Sequence, residues 1–294
     1  MKKRFKKRFV IIPSIIVFVL LASSLTVYFT LFHGKNGKDK EDDIINNLYD
    51  DTDALMTRYQ NLGPLEKPED TFRPYELALI AEQTTFNLDH YYSYCEGEIT
   101  AILGIKQYIT SRFIKENSDC FEENISSGKV SVAHRYYENA IETTHYAGKC
   151  LSKTKGEFYE DKKETFSIKD FKHQWGRTIK EHHSIIVSQK TVKEDTLEMI
   201  DNKYYVKMSL DAELSSTLYG RWMMSTSNIE GMPLFHKIEL EYRFDSHMKL
   251  VQFVSNCAYD AKQIIYVKNM KESIQENYGY DEKHIPSINE DANF

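Results

Sequence analysis

Histidine side chains are the groups of this chain best suited to acid–base chemistry or to metal binding. His134 and His236 each take an apolar-face position in a run of alternating residues. Such a histidine is either a core residue bonded to a buried partner or a polar contact inside a ligand cavity. His182 and His183 are adjacent, so their side chains diverge and cannot share one metal ion without further ligands. We expect this pair at the surface or in a loop, and the sequence predicts no metal site.

Catalytic motifs are absent from the sequence. It contains no GxSxG nucleophile elbow, no HExxH, no glycine-rich phosphate loop and no GxGxxG. Glu96 and Glu98 lie two apart in a strand and face the same side, as paired carboxylates would, but a solvated strand edge is the commoner explanation for such a pair. The sequence therefore predicts no catalytic residue and no cofactor.

The cysteines allow two interpretations. Cys95, Cys120, Cys150 and Cys257 are an even set, which permits two disulfides in any of three connectivities. No two of them are close enough in sequence for a CxxC redox or zinc motif. Four cysteines in so long a chain do not make a disulfide framework, so buried free thiols are the favoured interpretation.

An apolar stretch near the N-terminus decides where the remaining elements lie. Residues 9–32 contain no Asp, Glu, Lys or Arg, and this length is enough for a helix to cross a hydrocarbon core of about 30 Å. Residues 1–8 carry six Lys and Arg, and the positive-inside rule keeps such an end in the cytoplasm. A cleaved signal peptide ending near Ala22 is the alternative. Both interpretations place the rest of the chain outside the cell membrane.

The charge of the exported part limits its partners. The whole chain has a formal net charge of -6. Without the six basic residues of 1–8, the chain holds 32 Lys and Arg against 44 Asp and Glu. This excess of acid argues against nucleic acid as a partner and against broad adhesion to anionic lipid headgroups.

Helical periodicity and capping residues predict four helices after the linker. Residues 33–70 are expected to hold a polar linker and an amphipathic helix that ends at Gly63, which is either a stalk or the first helix of the domain. Pro74 opens a helix to about Phe86. Ser167 is a plausible N-cap for a helix that runs to Trp175, and Asp211 for one that runs to about Met224.

Alternating patterns predict strands between these helices. Residues 99–110, 129–137, 204–210, 236–245 and 251–259 each alternate with period two, and the last two form an antiparallel hairpin. The predicted fold class is α+β, with a curved antiparallel sheet and helices packed on one side. We expect this extracytoplasmic domain to span residues 71–270, and residues 271–294 to form a disordered acidic tail.

This pattern resembles the half-barrel of the LolA/LppX-type lipoprotein carriers. The resemblance rests on a single membrane signal followed by long two-faced strands, among them EGEITAILGIKQYIT and HKIELEYRFDSHMKLVQFVSNCAYDA, over about residues 71–269. No diagnostic motif accompanies them, and the lipidated cysteine usual in such lipoproteins is absent. The resemblance implies an apolar cavity for an acyl chain or another lipophilic ligand.

The sequence thus predicts a single-pass, membrane-anchored, non-enzymatic binding module that captures a lipid or other apolar envelope ligand. The residues expected at the ligand are apolar-face aromatics and one histidine: Tyr136, Tyr204, Trp222, His236, Tyr242 and Phe253. A structural or assembly partner of another membrane protein is the first alternative. An envelope hydrolase with an unrecognised site is the second.

Overall fold

The computed structural model describes residues 51–101, 104–128, 131–139, 142–150, 159–181, 183–227, 229–262, 266–281 and 288. These residues all belong to one compact unit, Asp51–Phe294. The predicted cytoplasmic end at residues 1–8, the predicted transmembrane helix at 9–32 and the linker up to residue 50 lie outside the described residues. Within the described part, no helix combines the length and the apolar character needed to cross a bilayer.

Eleven strands of the described chain form one open antiparallel sheet. In chain order they are β1 (His90–Thr100), β2 (Lys106–Glu116), β3 (Asp119–Ser127), β4 (Ser131–Glu138), β5 (Glu142–Cys150), β6 (Tyr159–Ser167), β7 (Val192–Ile200), β8 (Lys203–Leu210), β9 (Leu234–Asp245), β10 (Leu250–Lys262) and β11 (Tyr266–Gly279). Across the sheet their order is β6-β5-β4-β3-β2-β1-β11-β10-β9-β8-β7. Each half is therefore a meander, and the pairing of β1 with β11 joins the two.

Helices cover one face of this sheet, as the α+β half-barrel prediction requires. Residues 51–62 are helical. The helices that follow are α1 (Pro74–Phe86), α2 (Ile168–Trp175), α3 (Ala212–Ser215) and α4 (Thr217–Thr226). The predicted caps are confirmed: the side chain of Ser167 accepts from the Asp170 N–H, and that of Asp211 accepts from the Leu214 N–H.

The helical residues 51–62 pack against the domain and are not a free stalk. Leu55 is buried in the main core. The Arg58 guanidinium lies 4.4 Å from the centre of the Phe72 ring and 3.3 Å from the Glu76 carboxylate. Of the two interpretations of this helix, the first helix of the domain is therefore the one that fits residues 51–62.

Two predictions about strands were wrong. The run from residue 99 to 110 is not continuous, because β1 ends at Thr100 and the chain reverses before Lys106. Gly104 provides the left-handed conformation, with φ of +70°, that this turn needs. The predicted disordered tail is also wrong for residues 271–279, which form most of β11 between β1 and β10.

The composition of β11 explains why the sequence concealed it. Its inward face carries Glu272 and Glu276, both buried, next to the half-buried Ile274 and Tyr278. Between Lys271 and Asn277 its outward residues are polar and exposed. A strand that has carboxylates on its dry face resembles a solvated acidic segment when only composition is considered, and only the period of two distinguishes it.

The sheet order forces one long connection across the molecule. β6 and β7 are the two opposite edges of the sheet, yet they are consecutive strands in the chain. The chain covers this distance with α2 and then with residues 176–191, here called the crossing segment, of which residue 182 is not described. Gly176, with φ of +77°, ends α2 and turns the chain into this segment.

We expect proline at position 275 to disrupt the fold, because β11 lies between two paired strands. Gln275 pairs with Glu96 on one side and Val254 on the other, and its side chain is exposed. Gln275→Pro removes a ladder N–H and should lower the free energy of unfolding by on the order of 3 kcal/mol. The control Gln275→Thr should stay within about 0.5 kcal/mol of the native chain. Urea unfolding of the full chain followed by circular dichroism measures both, and a tolerated proline would contradict the strand.

Candidate functional site

A cavity of about 200 Å³ lies between the inward face of the sheet and the elements that cover it. Its lining comes from β1–β4, β10 and β11 on the sheet side, and from α4 and the crossing segment on the other. The apolar part of the lining is mostly branched aliphatic and aromatic, including Ile99, Ile109, Ile185, Trp222, Phe253 and Ile274. The polar part includes three glutamates, Glu122, Glu272 and Glu276, together with Arg177 and His183.

Arg177 and Glu122 form a buried ion pair in the cavity wall. One guanidinium nitrogen, Nη2, donates to both carboxylate oxygens of Glu122 at 2.8 and 2.9 Å. The guanidinium also lies 3.8 Å from the centre of the Trp222 ring, and its Nη1 donates to the Thr178 carbonyl. Hydrogen bonds to the remaining donors and acceptors offset the desolvation cost of a charge pair this deep. The Nε–H of Arg177 has no partner among the described residues.

His183 connects the crossing segment both to helix α1 and to the sheet. Its Nδ1 lies 3.1 Å from the carboxylate of Glu82 on α1, and its Nε2 lies 3.2 Å from that of Glu276 on β11. The Phe253 ring stacks on the imidazole with 4.1 Å between centroids. Burial lowers the pKa of His183, but the charge of Glu82 and the hydrogen bonds with both carboxylates outweigh it and raise the pKa to about 9. The imidazolium therefore holds two carboxylates at neutral pH.

Glu272 is a buried carboxyl group without a cationic partner among the described residues. The Tyr219 hydroxyl donates to its Oε1, and the Tyr259 hydroxyl donates to its Oε2 at 3.4 Å. Burial raises the pKa of Glu272 to about 7, although these two hydrogen bonds act in the opposite direction. This carboxyl group is therefore close to half-ionised at neutral pH.

Two neighbouring histidines near the cavity are neutral. His134 lines the cavity, and its Nδ1 is 3.4 Å from Nε2 of His145 on the neighbouring strand. Burial lowers the pKa of His145 to about 4, with a further contribution from His134, and burial also lowers the pKa of His134. Both rings pack against Tyr136 in an aromatic cluster with Trp175. His134 is thus a core histidine that also borders the cavity.

The structure brings only part of the predicted ligand set to the cavity. Trp222 and Phe253 line it. Tyr136 is buried in the aromatic cluster, and the hydroxyls of Tyr204 and Tyr242 donate to Glu69 and Glu82 at 3.0 Å. These five residues are thus placed by the fold, while ligand contact at any of them stays a prediction.

The inward position predicted for His236 was wrong. The register of β9 against β10 shifts so that Lys237 pairs with Ala258 but Phe235 pairs with Tyr259. His236 is the extra residue of this bulge, and its side chain is 43% exposed and lies 3.1 Å from Asp260. A bulge reverses which side chains face the core, and the simple alternation of the sequence does not show it.

His183, Arg177 and Glu272 are the site residues that sequence reasoning missed. Glu272 could have been found, because Met270, Glu272 and Ile274 keep a period of two. Arg177 and His183 lie in an irregular segment where no periodic signal exists. Their positions depend on which strands the crossing segment passes.

Three of the four cysteines fit the interpretation that the sequence favours, buried free thiols. Cys95, Cys120 and Cys257 are free and buried, and the side chain of Cys150 lies outside the described part. Burial raises the pKa of the Cys120 thiol to about 12. A thiol in such surroundings stays protonated and is a weak nucleophile.

The chain matches no protein-family model and no curated protein. It is similar to a solved β-barrel-like protein of a domain of unknown function from Brucella abortus, with 5% identity and a TM-score of 0.24 over 66% of this chain and 99% of that chain. It is also similar to a LolA superfamily protein from Nitrosomonas europaea, with 7% identity and a TM-score of 0.22 over 74% of this chain and 99% of that chain. At this level of similarity neither match carries a conclusion about the family or the function of this chain.

Loss of the His183 side chain should destabilise the domain strongly. His183→Ala leaves the carboxylates of Glu82 and Glu276 buried without their cation, and breaking such a pairing costs about 3–5 kcal/mol. The control His173→Ala removes an exposed imidazole from α2 and should change stability by less than about 0.5 kcal/mol. Urea unfolding of the full chain at neutral pH compares the two, and similar effects would contradict the role assigned to His183.

The raised pKa of Glu272 predicts a specific pH dependence of stability. Because the folded state holds this proton more tightly than the unfolded state, the contribution of Glu272 is fully present below pH 4.5 and is lost as the pH rises through 7. The loss amounts to about 3 kcal/mol for a shift of this size. In Glu272→Gln the loss should vanish, so the variant should become more stable relative to the native chain as pH rises. Thermal unfolding of both proteins between pH 5 and pH 8 measures the difference, and a constant difference would contradict the prediction.

Proposed function

We propose that the domain is a non-enzymatic binding module that holds a small molecule with an apolar body in the cavity between the sheet and its cover. The cavity is the single observation that carries this proposal. Residues 9–32 would anchor the module in the cell membrane as one span, with residues 1–8 in the cytoplasm and the domain outside. The ligand would accordingly be a lipid or another apolar component of the cell envelope.

The shape of the cavity supports this proposal. The cavity of about 200 Å³ beneath α4 is a partly open cleft, and ligand sites are typically concave spaces of this kind. Ile99, Ile109 and Ile274 give it apolar sheet walls, and Trp222 gives it an aromatic wall on the helix side. Ligand sites combine such walls with a few convergent polar groups. The size suits a small molecule or the end of an acyl chain.

The cover of the cavity supports retention of a ligand. The crossing segment lies over the sheet and is held by Arg177 at β3 and by His183 at β11. Its later part is held as well, because the Ile186 N–H donates to the Ser215 carbonyl of α3. A cover bonded at successive points keeps its position over part of the apolar walls without its own secondary structure.

Native mass spectrometry on the full chain tests this proposal. The chain is purified from its own host in bilayer discs without detergent exchange, and bound small molecules are released and identified. We expect one apolar molecule per chain. The variant Ser111→Phe places a ring into the cavity from β2 and should lose that molecule.

The matched control is Ser273→Phe, which makes the same change on the exposed face of β11 and should retain the molecule. A chain that is empty in both variants and in the native protein would contradict the proposal. Retention by Ser111→Phe would contradict it as well, because the molecule would then lie elsewhere. An empty chain that instead copurifies with one defined membrane protein would favour the alternative of an assembly partner.

A further inference from the structure

We propose that the ligand of this cavity carries a cationic amine group, and that the group pairs with the carboxylate of Glu272. This inference rests on the proposed function, since it names the chemical class of the molecule that the cavity would hold. It assigns a recognition role to a residue that has no structural partner of opposite charge in the described part of the chain.

The position of Glu272 is the first argument. It lies on the inward face of β11, the strand that joins the two meanders, and it lines the cavity. Its residue surface is only 3% exposed. The hydroxyls of Tyr219 and Tyr259 donate to different carboxylate oxygens and so fix the orientation of the group. Neither phenol supplies a positive charge.

The second argument is the charge of the described lining. The positive charge of Arg177 is matched by Glu122, and that of His183 is shared by Glu82 and Glu276. No lysine is among the described residues that line the cavity. The single charge of His183 serves two carboxylates, and Glu272 is the lining carboxylate that contacts no described cation.

The third argument is the chemistry of a buried carboxylate. Ionisation of a carboxyl group in a low-dielectric site is costly unless an opposite charge or several hydrogen bonds compensate it. An ammonium group placed beside Glu272 would supply both a charge and donors, and charge-assisted hydrogen bonds of this kind are the strong ones. A carboxylate or phosphate group would instead meet three glutamates of the lining, Glu122, Glu272 and Glu276.

A divalent metal ion fits the site less well than an amine. The described residues contain no group of three or more His, Cys, Asp and Glu side chains that could ligate one. Aromatic walls are also suited to organic cations, which are attracted to ring faces. Tyr219 lines the cavity and donates to Glu272, so its ring lies beside that carboxylate.

Quenching of Trp222 fluorescence tests the inference directly. The chain has two tryptophans, so the full-length Trp175→Phe chain in bilayer discs reports on Trp222 alone. The probes are three undecyl chains brominated at the far end, with an amine, an alcohol or a carboxylate as the head group. We expect the amine to quench at concentrations about tenfold lower than the alcohol, the difference typical of a hydrogen bond to a charged group. We expect the carboxylate to quench least.

Two Glu→Gln variants in the same background locate the selectivity. Glu272→Gln should reduce the advantage of the amine over the alcohol to less than about twofold while the alcohol binds as before. Glu96→Gln makes the same change on an exposed residue of β1 and should keep the advantage.

The possible results separate the two proposals. Equal quenching by amine and alcohol in the native background would overturn the amine inference and leave the binding function supported. Preference for the carboxylate would overturn the amine inference and indicate Arg177 as the residue that binds the head group. If no probe quenches Trp222, both the inference and the proposed function fail. The comparison of head groups needs no variant at position 272, so poor folding of Glu272→Gln would not prevent the decision.

Discussion

The burial of carboxylates on the inward face of the sheet is the constraint on which the rest of the structure depends. Glu122, Glu138, Glu272 and Glu276 all lie on this face, and each is at most 5% exposed. A carboxylate in such a place must find donors or an opposite charge, or remain protonated. The fold meets this demand for three of the four with one element, the crossing segment. Arg177 neutralises Glu122, the backbone N–H of Ile179 donates to Glu138 at 2.7 Å, and His183 contacts Glu276.

The topology of the sheet explains why an irregular segment has this task. Consecutive strands β6 and β7 lie at opposite edges, so the chain between them must pass over the whole sheet. A segment without regular structure leaves backbone groups to be satisfied along its path. The inward glutamates accept hydrogen bonds from the backbone of this segment and from its cationic side chains. The carboxylates of the sheet and the donors of the crossing segment thus satisfy each other. The cavity is the space that remains between the sheet and the segment.

Glu272 is the exception within this arrangement. Two phenol groups orient it, but no described cation reaches it. Glu272 lies on the strand that joins the two meanders. The free-energy cost of removing its carboxyl group from water therefore falls on the centre of the sheet. A buried carboxyl group without a cation departs from the usual rules of a stable core, and such departures concentrate at functional sites.

Local features of the fold were readable from the sequence because they depend on neighbours along the chain. Pro74 at the start of α1, Ser167 and Asp211 as caps, and the hairpin of β9 and β10 all follow from contacts within a few residues. The failures share another cause. The bulge that turns His236 outward depends on the register with β10, and β11 was mistaken for a tail because its dry face carries acid.

The sequence by itself determined the α+β class, most helix boundaries and the central hairpin, because hydrophobic period and capping are local properties. It also supplied three residues of the cavity lining, His134, Trp222 and Phe253. Only the tertiary structure decided that Arg177, His183 and Glu272 line the same cavity. These residues come from an irregular segment and from a strand that pairs with β1, far away along the chain. Which charges meet inside a protein is set by strand order and by the path of the connections, and no local pattern records either.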